Sequence, residues 1–552
     1  MRCLIPLLLL LPSCTSQLAK TDAPHRGIVV SASDRASEVG ARVLRQGGNA
    51  VDATVATAFA LAVTFPEAGN IGGGGFMLVH FPDGREPVVI DYRETAPAAV
   101  DANTFRKKSD RTPYRLAGVP GTVRGLALAH EKYGKLAWRD LVSPAVELAS
   151  NGFVLNADLV DSLNRALAAH PEMAEFQRVF GNRRWKAGDV LVQRELAETL
   201  RRIADGGPDA FYTGPIADQI VAEMKRGGGL ITHADLAGYR AQIREPIHGK
   251  YRGYDVYAPP PPSSGGVALV EALNVLEYFP LYNNRRFAPQ TLHLITEAMR
   301  RAYADRAKFL GDPDFAALPD YLLSKDYAAK LATHLPADKA TASRDLTPDV
   351  PLRAEPENTT HFSVVDRAGM AVANTYTLEE SYGGKIVVAG AGLLLNNELG
   401  DFNPQPGVTT VSGQIGTRAN LAAPGKRPLS SMCPTIVARD GKAILVTGSP
   451  GGRTIINTVL CVVLNRLEFD MPPQACVDAP RHHHQWFPDQ IVPEAALAHD
   501  HGDALEALKR MGHTIAKPVA HQGDAHSIFR DLKTGQWTGA ADHRRAGAVA
   551  EQ

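Results

Sequence analysis

The sequence predicts an α/β protein in which helices dominate the first part of the chain and hairpins dominate the last third. Apolar residues recur with the spacing of α-helices over residues 136–301. From Thr359 onward the pattern changes to short alternating runs separated by tight turns. Strands that follow one another, with helices before and between them, predict sheets packed against helices in an α/β sandwich.

The first ninety residues of this pattern contain a strand, two helices and a hairpin. Residues 27–31 have the composition of a strand, and Ser33 or Asp34 is placed to cap a helix that continues to Arg45. A second, apolar helix is predicted over 49–64. Residues 77–92 predict a hairpin that turns at Pro82-Asp83-Gly84.

Glycines 72–75 are predicted to form a loop where side chains would obstruct a close backbone approach. The loop lacks the lysine and the spacing of phosphate-binding motifs, so nucleotide binding is not expected. Prolines and serines break the helical part at 259–266. Residues 334–358, rich in Pro, Asp, Ala and Thr, predict a flexible, exposed segment. Three hairpins follow, with turns at 367–369, 439–442 and 533–535.

Length and charge exclude several classes of partner. A chain of 552 residues allows several domains or one large α/β unit. The 59 Lys and Arg residues balance 59 Asp and Glu residues, and no basic run dominates. Nucleic acid and polyanionic surfaces are therefore not expected partners.

The first 25 residues are predicted to be an export signal followed by a polar linker. Arg2 precedes an apolar run over 4–11, which is far shorter than the ~20 residues needed to span a bilayer. The following Leu11-Pro12-Ser13-Cys14 is similar to a lipoprotein lipobox, which makes Cys14 a candidate lipidation site. Proline is not the favoured residue there, and ordinary secretion is the alternative. The expected location is periplasmic or membrane-anchored.

Beyond the export segment three cysteines remain, Cys433, Cys461 and Cys476. They have no C-x-x-C spacing and predict no disulfide framework, although one disulfide among them stays open. Stability must therefore come from the core, which a chain of this length can make large.

Thr359 stands directly ahead of a strand-like run, within Glu357-Asn358-Thr359-Thr360-His361-Phe362-Ser363. A threonine hydroxyl alone is a poor nucleophile at neutral pH. A free α-amino group on the same residue titrates near pH ~8 and can act as its base. This layout suits an N-terminal nucleophile that is exposed when the chain is cut between Asn358 and Thr359. Residues 358–360 also fit a glycosylation sequon, so this run by itself does not establish an N-terminal nucleophile.

Further motifs occur in a fixed order along the chain: 47–53 (GGNAVDA), 91–97 (DYRETAP), 377–379 (TLE), 394–402 (LLNNELGDF), 426–432 (KRPLSSM), 447–452 (TGSPGG) and 479–485 (APRHHHQ). In this order and at these spacings they resemble the γ-glutamyltransferase family, also called γ-glutamyltranspeptidase or glutathione hydrolase. The resemblance covers nearly the whole mature chain. It implies the four-layer αββα sandwich of N-terminal-nucleophile hydrolases.

The resemblance also implies self-catalysed cleavage at Asn358-Thr359. The products would be a large subunit, 26–358, and a small catalytic subunit, 359–552, which remain together as a heterodimer. The implied partners are glutathione and other γ-glutamyl compounds, with amino acids or dipeptides as acceptors. No cofactor is implied.

Four residues match the family's catalytic positions. Thr359 matches the nucleophile, and Thr377 matches a second threonine whose hydroxyl hydrogen-bonds the terminal amine. Gly451 and Gly452 match the oxyanion-hole glycines, whose backbone N–H groups can reach a tetrahedral oxyanion because no side chain obstructs them.

Six more residues match positions that bind the γ-glutamyl group, which carries both a carboxylate and an ammonium. Arg93 matches the carboxylate-binding arginine, and Ser430 and Ser431 match neighbouring hydroxyl donors. Glu398 and Asp401 match the acids that accept from the ammonium. Glu379 stands where many relatives carry asparagine, which predicts a shifted substrate preference.

Two further segments are compared with the family. Residues 406–420 match the length of a lid over the pocket, but Ser412 stands where many lids carry an aromatic residue, so tight closure is not expected.

The three consecutive histidines 482–484 belong to a segment that is structural in the family. Adjacent strand residues point to opposite sides and no further ligand is suitably spaced, so no metal site is predicted there. Asp91 and Glu94 are expected to support Arg93 as ion-pair partners.

Two other functions remain open at this stage. A cephalosporin- or glutaryl-type acylase on the same scaffold would keep the nucleophile but would not need acids for the amine. An uncleaved, surface-anchored binding protein would remain a single chain. The presence of Glu398 and Asp401 favours the transferase over the acylase.

Overall fold

The structure is a computed structural model, and it describes residues 26–346, 359–404 and 417–552. The predicted lipidation site Cys14, the residue Asn358 before the predicted cut, and residues 406–416 of the predicted lid, including Ser412, lie outside the described residues.

Two large antiparallel sheets form the centre of the fold. Strands are numbered along the chain. The first sheet has the spatial order β19 (Ala548–Glu551), β1 (Ile28–Ser31), β9 (Thr360–Val365), β10 (Ala371–Thr377), β2 (Gly74–His80), β3 (Val88–Asp91) and β6 (Gln242–Arg244). The second has the order β18 (Trp537–Ala541), β17 (His526–Arg530), β14 (Lys442–Thr447), β13 (Thr435–Arg439), β8 (Tyr254–Ala258) and β7 (Ile247–Tyr251).

Shorter strands form three separate pairs: β4 (Phe153–Val154) with β5 (Val190–Leu191), β11 (Ile386–Val387) with β12 (Leu394–Leu395), and β15 (His482–His483) with β16 (Val492–Pro493).

Helices of the described ranges are α1 (Asp34–Arg45), α2 (Ala50–Thr64), α3 (Thr122–Tyr133), α4 (Trp138–Asn151), α5 (Ala157–Ala169), α6 (Ala174–Phe180), α7 (Arg194–Gly206), α8 (Asp209–Tyr212), α9 (Gly214–Gly227), α10 (His233–Gly238), α11 (Gly265–Leu276), α12 (Pro289–Phe309), α13 (Lys325–Thr333), α14 (Ser343–Leu346), α15 (Thr454–Leu467), α16 (Pro473–Asp478), α17 (Ala495–Asp500) and α18 (Gly502–Arg510). Short 3-10 turns occur at Lys108–Asp110, Leu281–Asn283, Asp320–Leu323, Glu398–Asp401 and Arg418–Asn420. None of these helices combines the length and the apolar character that crossing a bilayer requires.

Successive strand residues point to opposite faces of the first sheet. Both faces are buried, each in a different hydrophobic cluster. Val29, Val364 and Val372 belong to the hydrophobic cluster that includes α1 and α2. Val30 and Val365 belong to the other large cluster, which includes the second sheet, α11 and α15. Strands β9 and β10 therefore pack between helix α2 and strand β14 of the second sheet, while α11 packs on β7 and β8.

The two predicted N-terminal helices are confirmed, and their caps explain where they begin. The Ser33 hydroxyl accepts from the N–H of Ala36 at 3.4 Å at the start of α1. Asn49 and Asp52 exchange side-chain and backbone hydrogen bonds of 2.9 and 3.0 Å at the start of α2. Such reciprocal caps satisfy N–H groups that the first helical turn leaves unpaired.

Strand assignments needed two corrections. Residues 136–301 are not all helical, because β6, β7 and β8 lie between Gln242 and Ala258 and reach both large sheets. These strands are only three to five residues long, so their alternation in burial is too short to stand out within a long helical pattern. The predicted glycine loop is shorter than expected, since Gly74 and Gly75 already belong to β2.

The described part of the predicted flexible segment, 334–346, is instead anchored. Ser343 is fully buried, and its carbonyl accepts from the Trp486 indole N–H at 2.9 Å. The N–H of Ala340 donates to the carbonyl of Met511 at 2.7 Å. These partners come from the far end of the chain, so the anchoring could not be predicted from local composition. The three cysteines of the described chain are free and buried.

Candidate active site

Strands β9 and β10 place two threonines next to each other at the edge of a pocket. Their register pairs Thr360 with Tyr376 and His361 with Thr375. Continuing that register by one residue sets Thr359 opposite Thr377. Both threonines are buried, and the Thr377 hydroxyl accepts from the N–H of Glu379 at 2.8 Å. The predicted nucleophile and the predicted second threonine are therefore neighbours.

A small pocket opens at these threonines. It is lined by Arg93, Thr359, Thr377, Glu379, Glu398, Asp401, Ser430, Ser431, Met432, Gly452 and Ile455. The structure thus brings together every predicted catalytic or substrate-binding residue except Gly451, which lines the adjoining cavity. Met432 and Ile455 were not predicted, because an apolar residue in a pocket wall carries no chemical signature in a sequence.

Gly451 and Gly452 immediately precede helix α15 and have φ angles of 123° and 53°. Positive φ values favour glycine, and a Cβ on Gly451 would lie 2.4 Å from the Thr454 hydroxyl. The positive end of the α15 dipole points toward this turn. A developing negative charge at Gly452 would therefore be stabilised by the positive end of the helix dipole.

Four charged residues form what we call the Arg93 cluster: Arg93, Glu94, Glu398 and Asp401. The Arg93 guanidinium pairs with Glu398, with Asp401 at 2.5 Å and with Glu94 at 3.7 Å. It also donates to the carbonyls of Pro428 and Leu429 at 3.2 Å. The guanidinium is therefore fixed in the pocket wall by contacts on several sides.

The Arg93 cluster contains one cation and three carboxyl groups. Burial lowers the pKa of Arg93, but the charges of Glu398, Asp401 and Glu94 outweigh burial and raise it. Burial raises the pKa of Glu94 to about 7, against the opposing effect of Arg93. The surplus of acids favours a bound cation, while Arg93 offers a partner for an anion. A zwitterion with its ammonium and carboxylate on one carbon fits both requirements.

Asp91 has a different role from the one predicted. Its carboxylate accepts from the backbone N–H of Arg93 at 3.0 Å, but its ion pairs are with Arg244 at 2.7 Å and Arg427 at 3.5 Å. Asp91 therefore positions the backbone of Arg93 and does not pair with its guanidinium. Both arginine partners are distant in sequence, which explains why local spacing misled the prediction.

Ser430 and Ser431 are held by residues that the sequence did not single out. The Ser264 hydroxyl donates to the Ser430 carbonyl at 2.6 Å, and the Arg306 guanidinium donates to the Ser264 and Ser431 hydroxyls at 2.7 and 2.8 Å. The segment 259–266, which interrupts the helical part of the sequence, thus lies beside the site. Arg306 on α12 gave no signal, since it stands among several arginines of one helix.

Close backbone contacts fix the end of β10. The Asn70 amide donates to the Thr377 carbonyl at 2.9 Å and accepts from the Gly73 N–H at 3.0 Å. A Cβ on Gly73 would lie 2.0 Å from that carbonyl, so glycine is required. The predicted close approach at the glycine loop is confirmed. At the described base of the predicted lid, the Asn420 amide donates to the Asp401 carbonyl at 2.7 Å.

The three histidines 482–484 are buried and do not line the catalytic pocket, although His483, in β15, lines the adjoining cavity with Gly451. In the described ranges, two groups of three metal-type donors converge, His293 with Glu297 and His513, and Asp478 with Asp542 and His543. Neither includes the histidines 482–484. The first group is engaged in a continuous network that we call the Arg300 cluster: His293, Glu297, Arg300, Arg301, Asp489 and His513.

Hydrogen bonds in the Arg300 cluster fix the histidine tautomers. His293 Nε2 lies 2.8 Å from the Pro336 carbonyl and must donate to it, so His293 Nδ1 accepts from His513 Nε2 at 2.8 Å. His513 Nδ1 then accepts from Arg300 at 3.4 Å. Glu297 pairs with Arg300 and Arg301 at 3.1 and 2.6 Å. The donors are therefore committed to one another and not to a metal.

Comparison with known proteins agrees with this geometry. The family model "Gamma-glutamyltranspeptidase" matches residues 36–552. A glutathione hydrolase proenzyme of Escherichia coli (strain K12) is 44% identical over 534 residues, which cover 94% of this chain and 90% of the relative.

Two solved structures are also similar. A cephalosporin acylase from Bacillus halodurans has a TM-score of 0.84 at 28% identity and covers 98% of this chain and 99% of its own. A γ-glutamyltranspeptidase from Helicobacter pylori has a TM-score of 0.55 at 41% identity and covers 56% of this chain and 92% of its own. With a family model that matches nearly its whole length and a relative of this identity, the chain belongs to the γ-glutamyltranspeptidase family of enzymes.

Proposed function

We propose that the protein is a γ-glutamyltransferase and glutathione hydrolase that is made as a proenzyme and activated by cutting itself between Asn358 and Thr359. The observation that carries the proposal is the pairing of Thr359 with a pocket that offers Arg93 for a carboxylate and two acids for an ammonium. The relatives named above support the reaction class.

Activation would proceed by attack of the Thr359 hydroxyl on the carbonyl of Asn358. The peptide bond becomes an ester, and water hydrolyses that ester. Residues 26–358 and 359–552 would then form the two subunits of a heterodimer. The new α-amino group of Thr359 gains a pKa near ~8, which suits it to remove the hydroxyl proton in the next reaction.

In catalysis the Thr359 oxygen attacks the γ-carbonyl of the donor while its proton passes to the amine. The tetrahedral oxyanion accepts hydrogen bonds from the backbone at Gly451 and Gly452, and such donors contribute about 3 kcal/mol each. Collapse breaks the amide bond, and the departing amine takes the proton. The γ-glutamyl ester on Thr359 is then cleaved by water, giving glutamate, or by an acceptor amine, giving a new γ-glutamyl amide.

Recognition of the donor would use both signs of charge in the Arg93 cluster. The α-carboxylate would pair with Arg93 and accept from the hydroxyls of Ser430 and Ser431. The α-ammonium would replace Arg93 as the partner of Glu398 and Asp401, next to Glu379. The arrangement of helices and two facing sheets supports the four-layer αββα architecture of N-terminal-nucleophile hydrolases.

Substitution of the nucleophile tests the proposal directly. Thr359→Ala should remain one chain and hydrolyse no γ-glutamyl-p-nitroanilide, whereas Thr359→Ser should still be cut. Intact mass spectrometry measures the cut, and release of p-nitroaniline measures the activity. Cleavage of Thr359→Ala at the same bond and the normal rate would show that the nucleophile is another residue. A single full-length band for the native protein would favour an uncleaved binding protein.

An acylase is the second candidate, favoured by the similarity to a cephalosporin acylase. Glutaryl-p-nitroanilide distinguishes the two because it lacks only the α-ammonium. A site whose buried acids are left without their cation should reject it strongly, by about 100-fold or more in kcat/KM. Equal rates on the glutaryl and γ-glutamyl compounds would assign the protein to the acylases.

Export is proposed from the sequence alone, with Cys14 as the candidate lipidation site. Two or three acyl chains would hold the protein on a membrane, at ~0.8 kcal/mol per buried CH₂. Cell fractionation of wild type and Cys14→Ser compares the two export routes: a membrane-bound wild type with a soluble variant indicates a lipoprotein, and two soluble periplasmic proteins indicate ordinary secretion. Retention of residues 1–13 in the cytoplasm would contradict export.

A further inference from the structure

Two cavities are lined by residues that directly neighbour lining residues of the catalytic pocket in sequence. One, of about 470 Å³, is lined by Glu380 and Ser381, which follow the pocket residue Glu379 directly. The other, of about 410 Å³, is lined by Gly451, which precedes the pocket residue Gly452. Both are lined by Arg545. Arg545 is therefore placed to contact a group that extends from the pocket into either cavity.

Arg545 is held in place by a short network. Its guanidinium pairs with Glu67 at 3.1 Å, and the same Glu67 oxygen accepts from the Ser381 hydroxyl at 3.0 Å. The Glu67 carbonyl accepts from the N–H of Tyr382 at 2.7 Å. About a third of the Arg545 side chain, 34%, stays exposed, whereas Glu67 is 10% exposed. The guanidinium is thus oriented by Glu67 and keeps donors available to a ligand.

The cavity beside Glu380 and Ser381 carries one cation more than its acids balance. Lys385 pairs with Glu380 at 2.6 Å, and Arg545 pairs with Glu67. Arg165, on α5, also lines this cavity, is exposed, and forms no hydrogen bond or ion pair with another residue in the described part of the chain. Within this cavity a single negative charge would balance the lining, and arginine is suited to a carboxylate. Both arginines also line a further cavity, which Asp158 and Asp161 share with them.

We propose that Arg545 and Arg165 form a subsite for the free carboxylate of a peptide or amino acid, either as the leaving group of the donor or as the acceptor. Leaving group and acceptor are the same chemical class, because transfer to an acceptor is the reverse of donor cleavage. The subsite rests on the proposed γ-glutamyl transfer. It makes Arg545 and Arg165 specificity-determining residues, since neither touches the reacting atoms.

The test compares two donors that differ in the leaving group. Glutathione releases a peptide with a carboxylate, and γ-glutamyl-p-nitroanilide releases an uncharged amine. We expect Arg545→Gln and Arg165→Gln in the processed enzyme each to lower the ratio of kcat/KM for glutathione to that for the anilide about tenfold. For acceptors, the KM of glycylglycine should rise about tenfold, while that of glycylglycine amide should change less than twofold.

Two control variants accompany the test. Arg165→Lys keeps the charge and should restore most of the ratio. Arg201→Gln removes an exposed arginine that pairs with Glu198 on the same helix, α7, and should leave the ratio at its wild-type value. Because Arg165 is exposed and forms no hydrogen bond or ion pair within residues 26–346, 359–404 and 417–552, its variants should fold even if Arg545→Gln is destabilised.

An unchanged ratio in both arginine variants, or an equal loss on both donors, would overturn the subsite while leaving the proposed function intact. A wild-type enzyme that cleaves neither donor would remove both the proposed function and the subsite.

Discussion

The Arg93 cluster and the Arg300 cluster are both buried networks of arginine and carboxylate, yet they are built differently. In the Arg93 cluster, one guanidinium faces three carboxyl groups, and the cluster lines a pocket. In the Arg300 cluster, two arginines balance Glu297 and Asp489, and the histidine nitrogens form a closed chain of hydrogen bonds. Unbalanced charge beside a cavity indicates a ligand-binding site, whereas a balanced network indicates a structural role in holding chain segments together.

The position of each cluster supports this distinction. Arg300 donates to the Ser343 hydroxyl at 2.5 Å, and Arg301 donates to the carbonyl of His334 at 3.0 Å. Asp489 accepts from the Ser343 N–H at 2.8 Å. The Arg300 cluster therefore ties the segment before the proposed cut to the segment after it. The Arg93 cluster instead presents its surplus charge to the pocket.

The largest expected effects come from a matched pair of variants, Arg93→Lys and Arg300→Lys. Each substitution keeps the positive charge but removes the planar guanidinium, whose paired N–H groups can bind a carboxylate through two hydrogen bonds. Arg93→Lys should lower kcat/KM for γ-glutamyl-p-nitroanilide by about 100-fold and change the melting temperature little, because the bidentate contact to substrate is lost. Arg300→Lys should lower the melting temperature by about 2 °C, which corresponds to about 2 kcal/mol for a chain of this length.

Kinetics and thermal denaturation of the same preparations separate these two effects. If Arg300→Lys lost activity per folded molecule as strongly as Arg93→Lys, the division into a ligand-binding site and a structural network would be wrong.

A smaller effect is expected from Glu94→Gln. The pKa of Glu94 is raised to about 7 by burial, so the carboxyl group is neutral below pH 7 and charged above it. The added charge competes with the substrate carboxylate for Arg93, and the donor KM should therefore rise a few-fold between pH 6 and pH 8. Glu94→Gln should remove that rise. Equal KM profiles for the variant and wild type over this range would show that Glu94 does not influence donor binding.

The smallest effect concerns the stability of the Arg300 cluster in acid. Burial and the nearby Arg300 lower the pKa of His513 to about 3, from an ordinary value of 6.5. The unfolded chain thus binds a proton below pH 6.5 that the folded chain does not accept until near pH 3, so stability falls as the pH falls through that window. His513→Gln should reduce the fall in melting temperature between pH 6.5 and pH 4 by a few degrees. An unaltered slope would mean that His513 is already protonated in the folded protein.

The sequence was sufficient wherever local chemistry determines structure. Ser33 and Asn49 marked both N-terminal helices, and the turns at 367–369 and 439–442 marked the hairpins β9–β10 and β13–β14. The motif residues of the site also converged on one pocket. Strand β19 was missed because its partner β1 lies more than 500 residues earlier, and no local pattern reports such pairing.

Contacts between distant segments account for the other errors. Asp91 was assigned to Arg93 because they are adjacent in sequence, but the fold supplies Arg244 and Arg427. Residues 334–346 look like a linker in composition, and only the buried partners Trp486 and Met511 reveal that they are anchored. Arg306 and Arg545 became visible only when the pocket walls were assembled.

The order of strands in the first sheet has a consequence for the proposed cut. Strands β1, β2, β3 and β6 precede Thr359, and β9, β10 and β19 follow it. Three of the six pairings in the sheet, β19 with β1, β1 with β9 and β10 with β2, join one side of the cut to the other. The two polypeptides would share one sheet, in which strands of one subunit lie between strands of the other. Dilution alone could not separate them, and neither could regain its shape without the other.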